Sequence, residues 1–178
     1  MALAVLSVVI RSLVSFFPYS GQGNIDGRVR EDGTKMYGDY EAQRHWMEIT
    51  LHLPAQDWYR ETKDNDLMYW GLDYPPLTAW HSKLCGMVMH LFDPPSVELH
   101  KSRGYETASS KMRMRMIVML FDLLVFYTGV FSATRTLYKQ SVSAKKVCML
   151  LCLFSPGLIL IDHGHFQFNS ICLGLTAW

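Results

Sequence analysis

The sequence predicts an all-α integral membrane protein, and three observations carry that prediction. Charge is segregated: of 17 Lys and Arg and 16 Asp and Glu in 178 residues, residues 19–114 hold 11 and 14. Residues 116–134 carry only Asp122, and residues 147–161 carry no charge. The run 116–134 is 19 residues long between Arg115 and Arg135, nearly enough at ~1.5 Å per residue to cross a ~30 Å hydrocarbon core. Charged residues make up 19% of the chain, against ~25% in ordinary soluble domains. A net charge of +1 gives no long-range attraction for a polyanion such as nucleic acid.

Residues 1–18 form a first apolar segment interrupted by Arg11. A cleaved leader has its positive charge before the apolar run and small residues after it. This run starts at once and ends in Phe16-Phe17-Pro18, which favours an uncleaved anchor over a signal peptide. Arg11 then snorkels to an interface or faces a protein interior.

Residues 19–114 are the polar region, with Gly21, Gly23 and Gly27 loosening its start. The spacing Ala42, Trp46, Ile49, Leu53 predicts a helix over 39–53, with Asp39 as N-cap and Pro54 as stop. Pro75-Pro76 opens a second helix through Phe92, closed by Pro94-Pro95. This helix is apolar but holds His81, Lys83 and His90. A charge at a helix centre costs ~2.5–3.5 kcal/mol on insertion scales. It is therefore read as lying in the membrane surface rather than across it.

Two spans come next, 115–134 and 147–161. Between them, 135–146 holds Arg135, Lys139, Lys145 and Lys146 with no acid. The positive-inside rule makes this loop cytosolic. Alternation puts 19–114 and the polar stretch after 161 on the opposite side. Residues 162–178 comprise this polar motif and, from 167, a further apolar run too short to span, read as the start of a truncated transmembrane helix. The chain is accordingly expected to be a fragment, a truncated isoform or an incomplete gene model of a longer multi-spanning protein. Cys85, Cys148, Cys152 and Cys172 form no CxxC pair, so neither a disulfide framework nor a zinc site is expected.

Three polar clusters offer chemistry. Gly38 to Trp46 packs Asp39, Tyr40, Glu41, Arg44, His45 and Trp46 into nine residues. A carboxylate at the helix entrance either acts as a general base toward a hydroxyl or only caps the helix. Arg44 is otherwise an ion-paired side chain, and Trp46 a core residue. Tyr69 to Pro76 sets Trp70 and Tyr74 beside Asp73. Aromatic planes with a carboxylate suit a sugar, against a plain turn before a Pro-Pro helix start. Asp162 to Asn169 groups His163, His165 and Gln167 after an apolar run. These side chains suit hydrogen bonds to a lipid-linked phosphate or sugar; the alternatives are a polar helix end or a weak H-x-H metal site.

The stretches GDYEAQRHWMEIT, YWGLDYPPLTAWH, SRGYE and LILIDHGHFQFNS resemble the endoplasmic-reticulum α-1,3-glucosyltransferases that use dolichyl-phosphate glucose. The likeness is greatest to the members that add the first glucose to the lipid-linked high-mannose oligosaccharide. It extends over essentially all of residues 1–178 and lacks more than half of the family's polytopic body. The resemblance implies a GT-C fold whose large first lumenal loop contains in-plane helices. It also implies a metal-independent, inverting transfer without a cofactor, from dolichyl phosphate glucose to the terminal mannose, with Asp39 as base. Tyr40, Arg44, His45, Trp46, Trp70, Asp73, Tyr74, His163, His165 and Gln167 are then the expected substrate contacts. The rival readings are an inactive membrane fragment or regulator, and the sibling that adds the second glucose.

Overall fold

The computed structural model describes residues 2–17, 28–29, 35–36 and 38–178. The expected loosening at Gly21, Gly23 and Gly27, and the end of the first segment at Pro18, lie outside those residues. The described residues are mainly helical. A two-residue antiparallel pair, β1 (Arg28–Val29) with β2 (Lys35–Met36), is the exception. The chain divides into two compact units, one of residues 20–114 and one of residues 1–19 with 115–178.

In the first unit, α2 (Asp39–His52) and α3 (Pro76–Phe92) pack together. Ala42, Trp46, Ile49 and Leu53 form a core with Trp58, Leu72 and Ala79, as their 4-3-4 spacing requires. The helices approach closely at Gly86, where a Cβ would stand 2.7 Å from the Met47 carbonyl oxygen. The expected cap is corrected by one residue. Gly38 is the N-cap, and its carbonyl accepts from the Glu41 and Ala42 amides. Asp39 is thus the first helical residue, placed against the positive end of the helix dipole.

Helix α3 begins on Pro76, where a missing N–H costs nothing. Its inner face is small until its last turn: Ala79, Ser82, Cys85 and Gly86 are buried, followed by Met89. Its outer face is an exposed stripe of Leu77, Trp80, Leu84, Met87 and Leu91, at alternating spacings of three and four. The polar residues fall beside that stripe. Burial holds His81 neutral, lowering its pKa to about 4, so the insertion cost assigned to it from sequence is smaller than supposed. The more direct mark is an apolar face that points away from its own unit.

The second unit contains α1 (Ala2–Ser15), the helical run Ala108–Leu137 from Arg115 onward, and the run Val142–Phe166; both runs are long and apolar enough to cross a membrane. The first comprises α4 (Ala108–Phe121), a π-helical turn (Asp122–Tyr127) and α5 (Thr128–Leu137). The second comprises α6 (Val142–Leu153), a break, the short α7 (Pro156–Leu158) and a π-helical segment (Ile159–Phe166). Both are longer than the apolar runs 115–134 and 147–161, because a helix continues through polar residues that hydropathy does not mark. The break falls before Pro156, which has no N–H for the ladder. Asp162 to Phe166 continues the π-helical segment and ends it. Ser141 caps α6 by accepting from the Ala144 amide. Helix α8 (Asn169–Ala177) packs on α5 and the π-turn through glycine: a Cβ on Gly174 would lie 2.7 Å from Phe126 Cα.

Candidate functional site

Helix α2 is polar in sequence yet buried from Tyr40 to Thr50. An ion cluster makes this tolerable. All five N–H groups of Arg44 are engaged. Nε and Nη2 donate to the two Glu41 oxygens at 2.7 and 2.6 Å, and Nη2 also to Glu48 Oε2 at 2.8 Å. Nη1 donates to the Ser96 carbonyl and to Ser102 Oγ. Glu48 additionally accepts from Ser102 Oγ at 3.0 Å and from the His100 amide at 2.8 Å. Tyr69 donates its hydroxyl to Glu41 at 2.8 Å and carries the Arg103 guanidinium over its ring at 4.2 Å.

The electrostatics reflect this packing. Burial pushes the Glu48 carboxyl up, but the His45 hydrogen bond and the Arg44 charge outweigh it and bring it down to about 2. Burial and the adjacent Glu41 carboxylate raise the Tyr69 phenol. Burial opposes the Arg44 charge, yet its bonds to Glu41 raise its pKa further. Burial likewise raises Tyr40.

Arg44 therefore spends its donors within the protein, and the structure brings it to Glu41 and Glu48 rather than to an open surface. His45 pairs with Glu48 through Nδ1 at 3.2 Å, not with Glu41, its neighbour one turn earlier. Its ring stands edge-on to Tyr69, and among the described residues its buried Nε2 has no hydrogen-bond partner. Trp46 lies in the core. The i,i+3 and i,i+4 spacings Glu41–Arg44 and Arg44–Glu48 were the signal for this cluster.

Asp39 differs from the residues that follow it: it is half-exposed while Tyr40–Thr50 are buried. It precedes Trp46 by seven residues, so both side chains leave the same side of α2, about 10 Å apart along the axis. On that side Trp46 donates Nε1 to the Trp70 carbonyl at 2.8 Å and packs against Tyr74 at 5.2 Å. Tyr59 donates its hydroxyl to the Tyr74 carbonyl at 2.8 Å. Asp73 and Tyr74 are exposed. Trp70 is held at φ 50°, a left-handed conformation uncommon for a bulky residue. Its Nε1 is buried with no partner among the described residues.

The third cluster belongs to the other unit. Asp162 is buried and caps α8: Oδ1 accepts from the Asn169 amide and Nδ2, each at 3.0 Å, and Oδ2 from the Ser170 amide at 2.7 Å and hydroxyl at 2.5 Å. His163 is buried, with Nε2 2.8 Å from Asp122 Oδ2 and 3.1 Å from Arg11 Nη1. His165 and Gln167 are half-exposed, and Gln167 Oε1 accepts from Asn169 Nδ2 at 2.9 Å. Asp162 and His163 are thus buried against internal partners, while His165 and Gln167 are half-exposed. Arg11 and Asp122 were not among the expected site residues. The signal for them was that each is a lone charge in an apolar run, and such charges seek each other.

A profile of the ALG6, ALG8 glycosyltransferase family matches residues 7–178. The chain belongs to that family. It is 51% identical over 174 residues to the dolichyl pyrophosphate Man9GlcNAc2 alpha-1,3-glucosyltransferase of Gallus gallus, covering 97% of this chain and 32% of that protein. The Mus musculus protein of the same name is 48% identical over 173 residues, covering 97% and 32%. The Saccharomyces cerevisiae one is 45% identical over 179 residues, covering 98% and 30%. The chain spans about a third of the length of these curated relatives. All three polar clusters lie within the residues matched to the ALG6, ALG8 family.

Proposed function

We propose that this chain works as the N-terminal part of a GT-C-type α-1,3-glucosyltransferase of the endoplasmic-reticulum membrane. It transfers glucose from dolichyl phosphate glucose to the terminal mannose of the lipid-linked oligosaccharide, in synthesis of the N-glycosylation precursor. The relatives' names support this acceptor and linkage. In this reading residues 19–114 are a lumenal loop, 135–146 face the cytosol, and α3 lies in the membrane surface on its Leu77–Leu91 stripe.

One observation carries the chemistry: Asp39 stands half-exposed at the start of a buried helix, on the side that holds the Trp70–Tyr74 turn. Its carboxylate takes the proton of the mannose 3-hydroxyl. The freed oxygen attacks the glucose anomeric carbon in line. The bond from that carbon to the phosphate oxygen breaks, and dolichyl phosphate leaves with the electron pair. A β-linked donor gives an α-linked product. Tyr74 and Trp70 offer ring surface, and Asp73 a carboxylate, to sugar hydroxyls. In the other unit, His165 and Gln167 are side chains suited to hydrogen-bond a lipid-linked phosphate. Phosphate is already a good leaving group, so base and hydrogen-bond donors suffice without a metal.

The test is a chimera in which this chain replaces the matching part of the Saccharomyces cerevisiae relative, expressed in cells lacking that relative. Chromatography of the lipid-linked oligosaccharides should show the singly glucosylated species. Membrane-inserted chimera with no glucosylated product would defeat the reading.

A further inference from the structure

The most unusual chemistry outside the Asp39 region is a closed ionic cluster in the unit of 1–19 and 115–178. Arg11 is fully buried in α1. Its Nη1 donates to Asp122 Oδ2 at 2.7 Å, its Nη2 to the Leu153 carbonyl at 3.3 Å, and its guanidinium lies 5.3 Å from the Phe126 ring centroid. Asp122 and Arg11 both meet His163 Nε2, and Ser15 Oγ stands 3.3 Å from His163 Nδ1. Three segments distant in sequence therefore converge on one imidazole.

We propose that Arg11, Asp122 and His163 form a positioning cluster that fixes the turn carrying His165 and Gln167. The inference rests on the proposed function, in which those two residues meet the donor's phosphate.

Stability alone is a poor reason for the cluster. A buried ion pair is often no better than well-packed apolar residues of the same volume, and charge inside a membrane protein is costly. Geometry supplies a better one. Asp122 and His163 each sit in a π-helical segment, an irregularity common at functional sites. The segment of His163 ends at Phe166, whose φ is 77°. A bulky residue stays left-handed only where its surroundings over-determine it. Here they do so from both sides. His163 is held at Nε2 by the Asp122–Arg11 ion pair before the strained residue, and Asn169 and Ser170 are clamped by Asp162 after it. His165 and Gln167 lie between these anchors, half-exposed. A turn pinned at both ends presents its polar groups in one orientation, which is what binding a charged group in a transition state requires.

The same yeast chimera tests this with two variants, assayed for initial transfer rate against donor concentration and for thermal stability in membranes. The double variant Arg11→Met with Asp122→Leu removes the charges together, and Arg11→Lys keeps the charge but not the planar fork that serves two partners. Misplacement of a binding group by about 1 Å costs about 100-fold. The double variant should therefore accumulate and melt like the parent yet lose about 100-fold in rate, and Arg11→Lys should lose about 10-fold. A stable variant of either kind retaining more than about a third of the parental rate would overturn the proposal, since no positioning defect on this scale would then exist. Failure of both to accumulate would also overturn it, by making the cluster a folding element. An inactive parent chimera defeats the functional reading first, whereas an active parent with active variants defeats only this inference.

Discussion

Arg44 Nη2 lies 2.8 Å from Glu48 Oε2, with both side chains buried one helical turn apart. The pair sits in the buried, polar stretch of α2. Removing Arg44 leaves Glu41 and Glu48 together in a dry interior. Arg44→Met should destabilise the 20–114 unit by about 3–5 kcal/mol, read as a lowered midpoint in denaturant or protease-resistance titration. An unchanged midpoint would mean that the cluster is hydrated.

Acid should weaken the same unit in two stages. His81 titrates near 4 when folded against an ordinary 6.5. Its contribution is present above pH 6.5 and is lost as pH falls toward 4, because the unfolded chain binds the proton first. Glu48 titrates near 2 against 4.5, so its contribution is present above 4.5 and is lost as pH falls toward 2. Stability measured from pH 7 to 2 should decline across both windows, and His81→Gln should remove the upper decline alone. A flat profile down to pH 4.5 in the parent would refute the His81 assignment.

Gly86 is needed for close approach rather than for backbone freedom. Its Cβ would stand 2.7 Å from the Met47 carbonyl oxygen, a backbone atom that cannot swing aside. Gly86→Ala should force α2 and α3 apart and cost about 1–3 kcal/mol. A substitution at Gly157, which has nothing near its Cβ position, is the control and should cost less. Equal effects at both sites would deny the close packing.

The membrane arrangement has a direct chemical readout. A glycosylation sequon engineered over 61–63, where Glu61 and Lys63 are exposed, should be modified, and one placed in 139–144 should not. Modification of the second would invert the topology. Within the same experiment, Leu84→Gln on the outer stripe of α3 should leave folding intact, since Leu84 is exposed, while weakening attachment of the loop to the bilayer surface.

Much of this fold is legible in the sequence, and the limits are physical. The 4-3-4 spacing from Ala42 to Leu53 located the core face of α2, because apolar periodicity reports a face directly. The proline pairs located both ends of α3. The ends of the two long helices were not legible, because they lie in polar residues beyond the apolar runs that hydropathy marks. The π-turns at Asp122 and Ile159 leave no mark in hydropathy either. Among the site residues, Asp39 and the Trp70–Tyr74 turn were visible as polar and aromatic clusters. The pairing of Arg44 and His45 with Glu41 and Glu48 is local and its spacing shows it. The contact of Arg44 with Ser102 and of His163 with Asp122 and Arg11 was not visible, since those partners are far away along the chain. Lone charges in apolar runs do announce that they need a partner, but only the fold names it.

Removal of the acceptor's proton by the Asp39 carboxylate is tested most directly by Asp39→Asn in the chimera. Gly38 already caps α2, so the amide forfeits only about 0.3–1 kcal/mol of charge–dipole attraction and the protein should insert and fold normally. Loss of a general base costs about 100- to 10,000-fold in rate. The expected result is a fully inserted protein whose transfer of glucose falls at least about 100-fold. A folded Asp39→Asn protein retaining more than about a tenth of the parental rate would contradict the assignment, because no base essential to the step would have been lost.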